Sequence, residues 1–324
     1  MLYPLKFKPV FKERIWGGDR IRTRLGLDFS PLPNCGEAWA LSGVPGDQTV
    51  VANGFLEGNE LNEILEIYMD ELVGEHVYSK SPEKFPILVK FIDSNDWLSI
   101  QVHPGDALAA RRKLGNGKTE MWYILDAEPG AELIAGFGRR TYQSTWLELP
   151  GKKRLKDALN AEQVGKGDVF FIPAGTVHAL GPGILLAEIQ QTSDVTYRIY
   201  DWDRVDARGQ SRELHTDLAL EAIDFSQAGS ARVNYKRDAA YPVTLTDCPA
   251  FTTNMLNFSR LTEKDYSPLD SFVIYVCVEG KAGIRSGGET VLLSAGEVIL
   301  LPAVTENVLL QPDPAVKILE VFIP

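Results

Sequence analysis

Short apolar runs separated by glycine, proline and aspartate dominate the chain from residue 85 onwards. These runs include FPILVKFI, LSIQV, TEMWYIL, AELIAGF, GDVFFIP and GILLAEIQ. A similar run, GEAWAL at 36–41, lies between turn-rich segments near the N-terminus. Apolar runs bounded by turn formers are typical of strands, and many such strands with few helices indicate an antiparallel sandwich or barrel.

Helices are predicted where the apolar spacing changes to three and four residues. Within 56–73, one stripe is formed by Leu61, Ile64, Leu65, Tyr68, Met69 and Leu72, as in an amphipathic helix. Two further helical stretches are predicted at 151–163 and 212–222. The segment 105–117 predicts a short helix capped by Asp106 and closed by Gly115. A linker is predicted near 226–242, and strands follow it to the C-terminus.

One β-unit of the chain occurs twice. The segment GDVFFIPA at 167–174 recurs as GEVILLPA at 296–303. Each copy has a turn glycine, an acidic residue, an apolar strand and a closing proline, so we expect two related β-barrels. The copies differ five residues after the proline, where the first has His178 and the second has Asn307.

Composition narrows the class of partner. The 324 residues are 44% hydrophobic and 24% charged, with a formal net charge of −11. Because nucleic-acid and anionic-membrane partners usually require a basic patch, neither is expected, whereas an anionic small substrate needs only a locally basic cleft. No apolar run predicts a signal peptide or a bilayer-spanning segment. Three scattered cysteines without CxxC spacing predict reduced thiols and a cytoplasmic location.

Polar side chains occupy one face of a predicted strand. In SIQVHPGD at 99–106, Gln101 and His103 alternate with apolar residues, and Pro104 and Gly105 end the strand. Together with Glu120 and His178 they offer an amide, a carboxylate and two imidazoles, a set suited to zinc and borderline metals. Taken singly, each residue also fits a structural role. The remaining histidines, His76 and His215, are interpreted as structural or exposed.

These motifs resemble known families. The spacing G-x5-P-x-G-x2-H, seen at 167–178, resembles the second signature of the cupin superfamily. The first signature fits Gln101, His103 and Glu120, with two departures: glutamine replaces the usual first histidine, and the glutamate comes seventeen residues after His103. The combination of SIQVHP, Lys-x-Glu, PAGTVHAL, WGG and GEAWALSG resembles the type I phosphomannose isomerases, in their compact bacterial form.

The resemblance implies a fold and a chemistry. It implies a mainly β chain of two cupin-type barrels, or jelly rolls, with a few short helices inserted in the N-terminal part. Residues 1–230 would form the catalytic cupin domain, and 240–324 a degenerate one that lacks metal ligands. One Zn²⁺ per chain would be bound by Gln101, His103, Glu120 and His178. The implied reaction interconverts mannose 6-phosphate and fructose 6-phosphate through an enediol.

The resemblance also implies roles for residues near the metal. Arg198 would stabilise the intermediate, and two acidic and two basic residues would line the pocket: Glu188, Asp194, Lys90 and Lys118. Of these we expect Lys90 to bind the substrate and the others to take part in catalysis. Trp16 is expected to contact the substrate.

Structural roles remain open for several of these residues. Arg198 would alternatively pair internally with Asp194 or Asp201, and Lys90 would extend to solvent from an edge strand. Glu188 and Asp194 also fit hydrogen-bonding roles, and packing alone would explain Trp16.

Two other functions remain as alternatives: an iron-dependent cupin dioxygenase and a non-enzymatic sugar-binding cupin. Gln101 counts against the first, and the polar cluster beyond the ligands counts against the second. The identity of the base, the phosphate site and the choice between monomer and homodimer stay open.

Overall fold

The computed structural model describes residues 2–147, 155–205 and 209–324. The strands are β1 (Leu5–Lys8), β2 (Val10–Lys12), β3 (Glu37–Leu41), β4 (Val50–Val51), β5 (Ile87–Ser94), β6 (Ile100–Val102), β7 (Glu120–Ala127), β8 (Glu132–Phe137), β9 (Leu159–Gln163), β10 (Val169–Ile172), β11 (His178–Leu180), β12 (Ile184–Gln191), β13 (Tyr197–Tyr200), β14 (Val243–Cys248), β15 (Phe251–Phe258), β16 (Thr262–Asp265), β17 (Val273–Ser286), β18 (Glu289–Ser294), β19 (Val298–Leu301) and β20 (Asn307–Phe322). The helices are α1 (Arg20–Leu25), α2 (Leu61–Val73), α3 (Glu75–Lys80), α4 (Asp106–Arg111), α5 (Gln143–Leu147), α6 (Leu155–Ala158) and α7 (Thr216–Ala222), with a 3₁₀ turn at Gly54–Leu56.

Two antiparallel sheets enclose the interior of the N-terminal part. Sheet 1 has the order β10-β7-β12-β5-β3-β2, and sheet 2 the order β13-β6-β11-β8-β9. Buried side chains of both sheets meet between them, with Trp122 and Leu186 from sheet 1 packed in one cluster with Leu133 and Leu180 from sheet 2. Hydrogen bonding among the described strands leaves the sheets open, so this part is a pair of facing sheets, as in a jelly roll.

Sheet 3 forms the C-terminal part around two long strands. Its order is β14-β15-β20-β17-β19-β1-β4, with β16 added on β20 and β18 on β17. Strand β1, from the N-terminus, pairs with β19 through Leu5 and Leu300. A large buried cluster joins sheet 3 to the outer face of sheet 1, with Phe91 and Ile189 on one side and Leu319 and Val321 on the other. The domain boundary expected at residues 230–240 stays a prediction. Strand β1 lies in the predicted N-terminal domain, yet it is part of the C-terminal sheet 3.

The mainly β architecture with few short helices is confirmed. Helix α2 falls within the predicted 56–73, and α7 within 212–222. The prediction of a helix over 151–163 is wrong for its last part, because 159–163 forms strand β9 and pairs with β8; residues 151–154 lie outside the described residues. Helix α4 begins at Asp106 with Gly105 as its N-cap residue, so Asp106 is not the cap, and its carboxylate accepts from the Gly117 amide instead.

The sequence repeat corresponds to a repeat of strand pairing. Gly167 and Gly296 have φ of 82° and 87°, a region open to glycine, and they precede β10 and β19. Across sheet 1 one row reads Trp39, Lys90, Glu188, Trp122 and Phe170. The matching row of sheet 3 reads Thr244, Asn254, Glu320, Tyr275 and Ile299. The second unit therefore keeps a buried glutamate at the position of Glu188.

Among the described residues, no helix combines the length and apolar character needed to cross a bilayer.

Candidate active site and metal centre

Strand register brings the predicted site residues together from distant parts of the chain. In sheet 2, Gln101 lies opposite His178 on one side and Arg198 on the other. In sheet 1, Glu188 lies opposite both Lys90 and Trp122. Directly opposed residues point to the same face of a sheet. Members of both rows line one cavity of about 600 Å³ between the sheets.

Three of the four predicted ligands form a compact buried cluster. His103 directly follows β6, Glu120 begins β7, and His178 begins β11. One ligand atom from each lies within 4.8 Å of the others. Nε2 of His178 is 3.3 Å from Oε1 of Glu120, and Nε2 of His103 is 3.6 Å from Oε2 of the same carboxylate. The Gln101 amide nitrogen lies 3.1 Å from Nε2 of His178, which places the fourth predicted ligand beside the other three.

Backbone carbonyls orient both imidazoles towards the cluster. Nδ1 of His103 lies 2.8 Å from the Val195 carbonyl oxygen, and Nδ1 of His178 lies 2.9 Å from that of Thr176. A carbonyl oxygen can only accept, so each Nδ1 carries the proton and each Nε2 offers its lone pair. Burial, helped by Lys118, lowers the pKa of His178 to about 4. Both rings are thus held as neutral ligands, the form that metals bind.

The Glu120 carboxylate fits a cation. It is fully buried, and neither oxygen accepts a hydrogen bond of good geometry from the described residues, although Lys118 Nζ is 3.0 Å from Oε2. Burial raises the pKa of Glu120 to about 7 against the opposing effect of Lys118. Burying a carboxylate is costly even with one lysine beside it, and a divalent ion between it and two imidazoles would offset that cost.

Lys118 forms the wall next to this cluster. Its ammonium is buried and lies 2.9 Å from Nε2 of His103. Burial disfavours its charge, but the neighbouring carboxylates of Glu120 and Glu188 outweigh burial and raise the pKa of Lys118. It is therefore a charged donor that faces the cavity.

Lys90 and Glu188 form a second buried pair. Nζ of Lys90 lies 3.3 Å from Oε1 of Glu188, and Trp122 Nε1 donates to the other oxygen at 2.9 Å. Burial opposes the charge of Glu188, yet Lys90 and Lys118 outweigh it and lower the pKa of this carboxyl. Strand β5 is interior to sheet 1, and Lys90 is only 6% exposed. The alternative of a lysine that extends to solvent from an edge strand is therefore excluded.

Arg198 lies on the opposite wall of the cavity. Its Nη1 donates to the Glu213 carbonyl at 2.8 Å, while its buried Nε has no partner among the described residues. Burial, together with the nearby Arg212, lowers the pKa of Arg198. Asp201 binds Arg204 and Arg212, both at 2.6 Å, rather than Arg198. A guanidinium with an unsatisfied donor in a polar cavity is suited to an anionic ligand.

Trp16 and Asp194 also line the cavity. Trp16 is 4% exposed and packs with Ile92 and Trp122, so its observed contacts are those of packing. Gly17 supports this turn, since a Cβ there would lie 2.5 Å from the Gly36 nitrogen. Asp194 is exposed.

Glu37, Arg14 and Trp39 are among the cavity residues that were not predicted from the sequence. Glu37 accepts from Arg14 Nε at 3.0 Å and from Trp39 Nε1 at 2.7 Å, and the Trp39 ring lies 5.0 Å from the Lys90 ammonium. Burial alone would raise the pKa of Glu37, but the positive charges of Lys90 and Arg14 outweigh burial and lower this pKa to about 2. The sequence pattern that could have predicted them is the alternation of Glu37 and Trp39 along the strand GEAWAL. Gln101 and His103 show the same alternation in SIQVH.

Facing sheets, a repeated β-unit and a His–Glu–His cluster are the features of a cupin-like fold with a candidate metal site. A family model described as the catalytic domain of type I phosphomannose isomerase matches residues 4–133. The Bacillus subtilis protein named mannose-6-phosphate isomerase ManA is 37% identical over 309 residues, covering 92% of this chain and 93% of its own. The mannose-6-phosphate isomerase of Streptococcus mutans is 33% identical over 306 residues, covering 93% of each.

A solved structure gives the same result. The crystal structure of the mannose 6-phosphate isomerase from Bacillus subtilis has a TM-score of 0.84 at 31% identity, covering 99% of each chain. The chain therefore belongs to the type I phosphomannose isomerase family.

Proposed function

We propose that this protein is a zinc-dependent aldose–ketose isomerase that interconverts mannose 6-phosphate and fructose 6-phosphate. The observation that carries the proposal is the convergence of His103, Glu120 and His178 beside a cavity that is lined by His178 and also by Lys90 and Arg198. The names of the relatives support the substrate, and the donor set supports zinc, one ion per chain. We also propose a cytoplasmic location, which the three unpaired cysteines support.

The reaction moves one proton between C1 and C2 of the sugar and another between their oxygens. Gln101, His103, Glu120 and His178 would hold the metal, which when bound supplies Lewis-acid polarisation of substrate oxygens. Arg198 would stabilise the negative charge of the enediolate, because its cationic side chain lines the cavity. Lys118 would donate to a substrate oxygen from the wall next to the ligands.

Glu188 is our candidate for the proton carrier. Its carboxylate is buried and lies outside the ligand cluster, and Lys90 and Lys118 favour its ionised form. An ionised carboxylate in reach of the sugar can accept a proton from one carbon and return it to the neighbouring carbon. Lys90 would keep this carboxylate in place and bind a substrate hydroxyl. Asp194, exposed at the same cavity, would contribute to the charge near the substrate, and Trp16 would form part of the wall against which the sugar packs.

The proposal is tested by measuring fructose 6-phosphate formation from mannose 6-phosphate with purified protein, before and after chelation. We expect activity in the metal-loaded protein, loss after chelation and recovery with added Zn²⁺. No activity with metal bound, or full activity in the metal-free protein, would contradict the proposal.

A further inference from the structure

We propose that His215 is a positioning residue that holds Arg198 in its place in the cavity, an inference that rests on the proposed function. His215 directly precedes helix α7. Its backbone N–H donates to the Arg198 carbonyl at 2.7 Å. Its ring Nδ1 accepts from the Arg198 backbone N–H at 3.0 Å. One histidine thus satisfies both main-chain polar groups of Arg198.

The place of Arg198 in the sheet explains why this contact matters. Strand β13 is the edge of sheet 2, so one side of its backbone has no neighbouring strand among the residues that the structure describes. The pairing of β13 with β6 also shifts register between Arg198 and Tyr200, which loosens the ladder at this point. His215 replaces the missing strand there, because it supplies one donor and one acceptor in the pattern of a β-ladder.

The same contacts decide how Arg198 faces the metal ligands. Since the Arg198 N–H donates to His215, it does not donate to the backbone carbonyl of Gln101 on the neighbouring strand. Arg198 and Gln101 are therefore a non-hydrogen-bonded antiparallel pair, the type in which opposed side chains approach most closely. The Glu213 carbonyl then accepts from Nη1, so the short segment 213–215 contacts both the backbone and the guanidinium of Arg198.

The ring nitrogen is the part of this arrangement that substitution can test. Asparagine carries an acceptor oxygen at the position of histidine Nδ1, whereas alanine carries none. We expect His215→Ala to lower kcat about tenfold or more, as for one lost hydrogen bond at a group that must be held in place. We expect His215→Asn to recover most of that loss. His76→Ala is the matched control, because His76 contacts Asp270 and the C-terminal Pro324, away from the cavity.

Three further readouts separate positioning from a general structural role. Bound zinc should stay at the wild-type level in His215→Ala, because no predicted ligand is changed. Hydrogen exchange at the Arg198 amide should accelerate in His215→Ala and stay slow in His215→Asn. In an Arg198→Ala background, His215→Ala should lower kcat no further, since its effect passes through Arg198.

Two results would overturn the inference in distinguishable ways. If wild-type protein isomerises mannose 6-phosphate and Arg198→Ala does not, but His215→Ala matches wild type or His215→Asn fails like alanine, the positioning role alone is wrong. If wild-type protein with bound zinc has no isomerase activity, the proposed function fails and the inference fails with it.

Discussion

Replacing one member of the buried Lys90–Glu188 pair should destabilise the protein more than replacing both. The two charged atoms are 3.3 Å apart, and the side chains are 7% and 5% exposed. At that distance their attraction is about 5 kcal/mol for an effective dielectric constant of about 20. Lys90→Met leaves the Glu188 carboxylate buried without its closest cation, because Lys118 is already paired with Glu120. The expected cost is roughly 3–5 kcal/mol in the free energy of unfolding.

The double variant Lys90→Met with Glu188→Leu removes both charges from the interior. Apolar residues of similar volume in place of a buried ion pair are often neutral or stabilising. The double variant should therefore be more stable than either single variant, with a residual loss because Trp122 Nε1 loses its acceptor and Glu37 loses the effect of Lys90; it should have no isomerase activity. Stability and catalysis would thus be separated at a single pair of residues.

The assay is urea unfolding followed by circular dichroism for wild type, the two single variants and the double variant. Lys8 and Glu57 provide a matched control, with charged atoms 3.4 Å apart but side chains 61% and 54% exposed. Lys8→Met should cost less than about 1 kcal/mol, because water screens an exposed pair. The reasoning would be refuted if the free energy of unfolding lost in the double Lys90/Glu188 variant equalled the sum of the two single losses. It would also be refuted if Lys90→Met lost no more free energy of unfolding than Lys8→Met.

Three other outcomes are expected. Arg198→Ala should keep its bound metal and lose turnover, and near-normal kcat would return Arg198 to a structural role. Glu37 has a pKa lowered from 4.5 to about 2, so its stabilisation is complete above pH 4.5 and is lost as the pH falls towards 2. The difference in Tm between wild type and Glu37→Gln should therefore shrink on acidification, and a growing difference would contradict this. Trp122→Phe removes the hydrogen bond to Glu188, so kcat should fall without loss of metal, and a loss of metal would show that Trp122 acts on the ligands instead.

The local pattern of the sequence predicted where the strands lie better than it predicted which strands pair with each other. Alternation placed Gln101 and His103 on one strand face, and the repeated glycine–strand–proline unit corresponds to β10 and β19. The register that sets Arg198 opposite Gln101 comes from pairing between strands far apart in sequence, which no local spacing encodes.

One error of the sequence interpretation and one contact that it did not predict have tertiary causes. Residues 159–163, LNAEQ, contain good helix formers, yet they form a strand because β8 offers them a ladder; pairing there overrides a weak propensity. His215 was interpreted as structural or exposed from its helical or loop context, and no local pattern named its partner. Its contact with Arg198 spans 17 residues of chain, and only the fold brings the two together.

The most direct test of the account is a titration of Zn²⁺ into chelated protein, with mannose 6-phosphate isomerisation measured at each addition. We expect activity to rise linearly from near zero and to saturate at one zinc ion per chain. Activity that is independent of zinc, or that saturates well away from one ion per chain, would contradict a single catalytic metal held by Gln101, His103, Glu120 and His178.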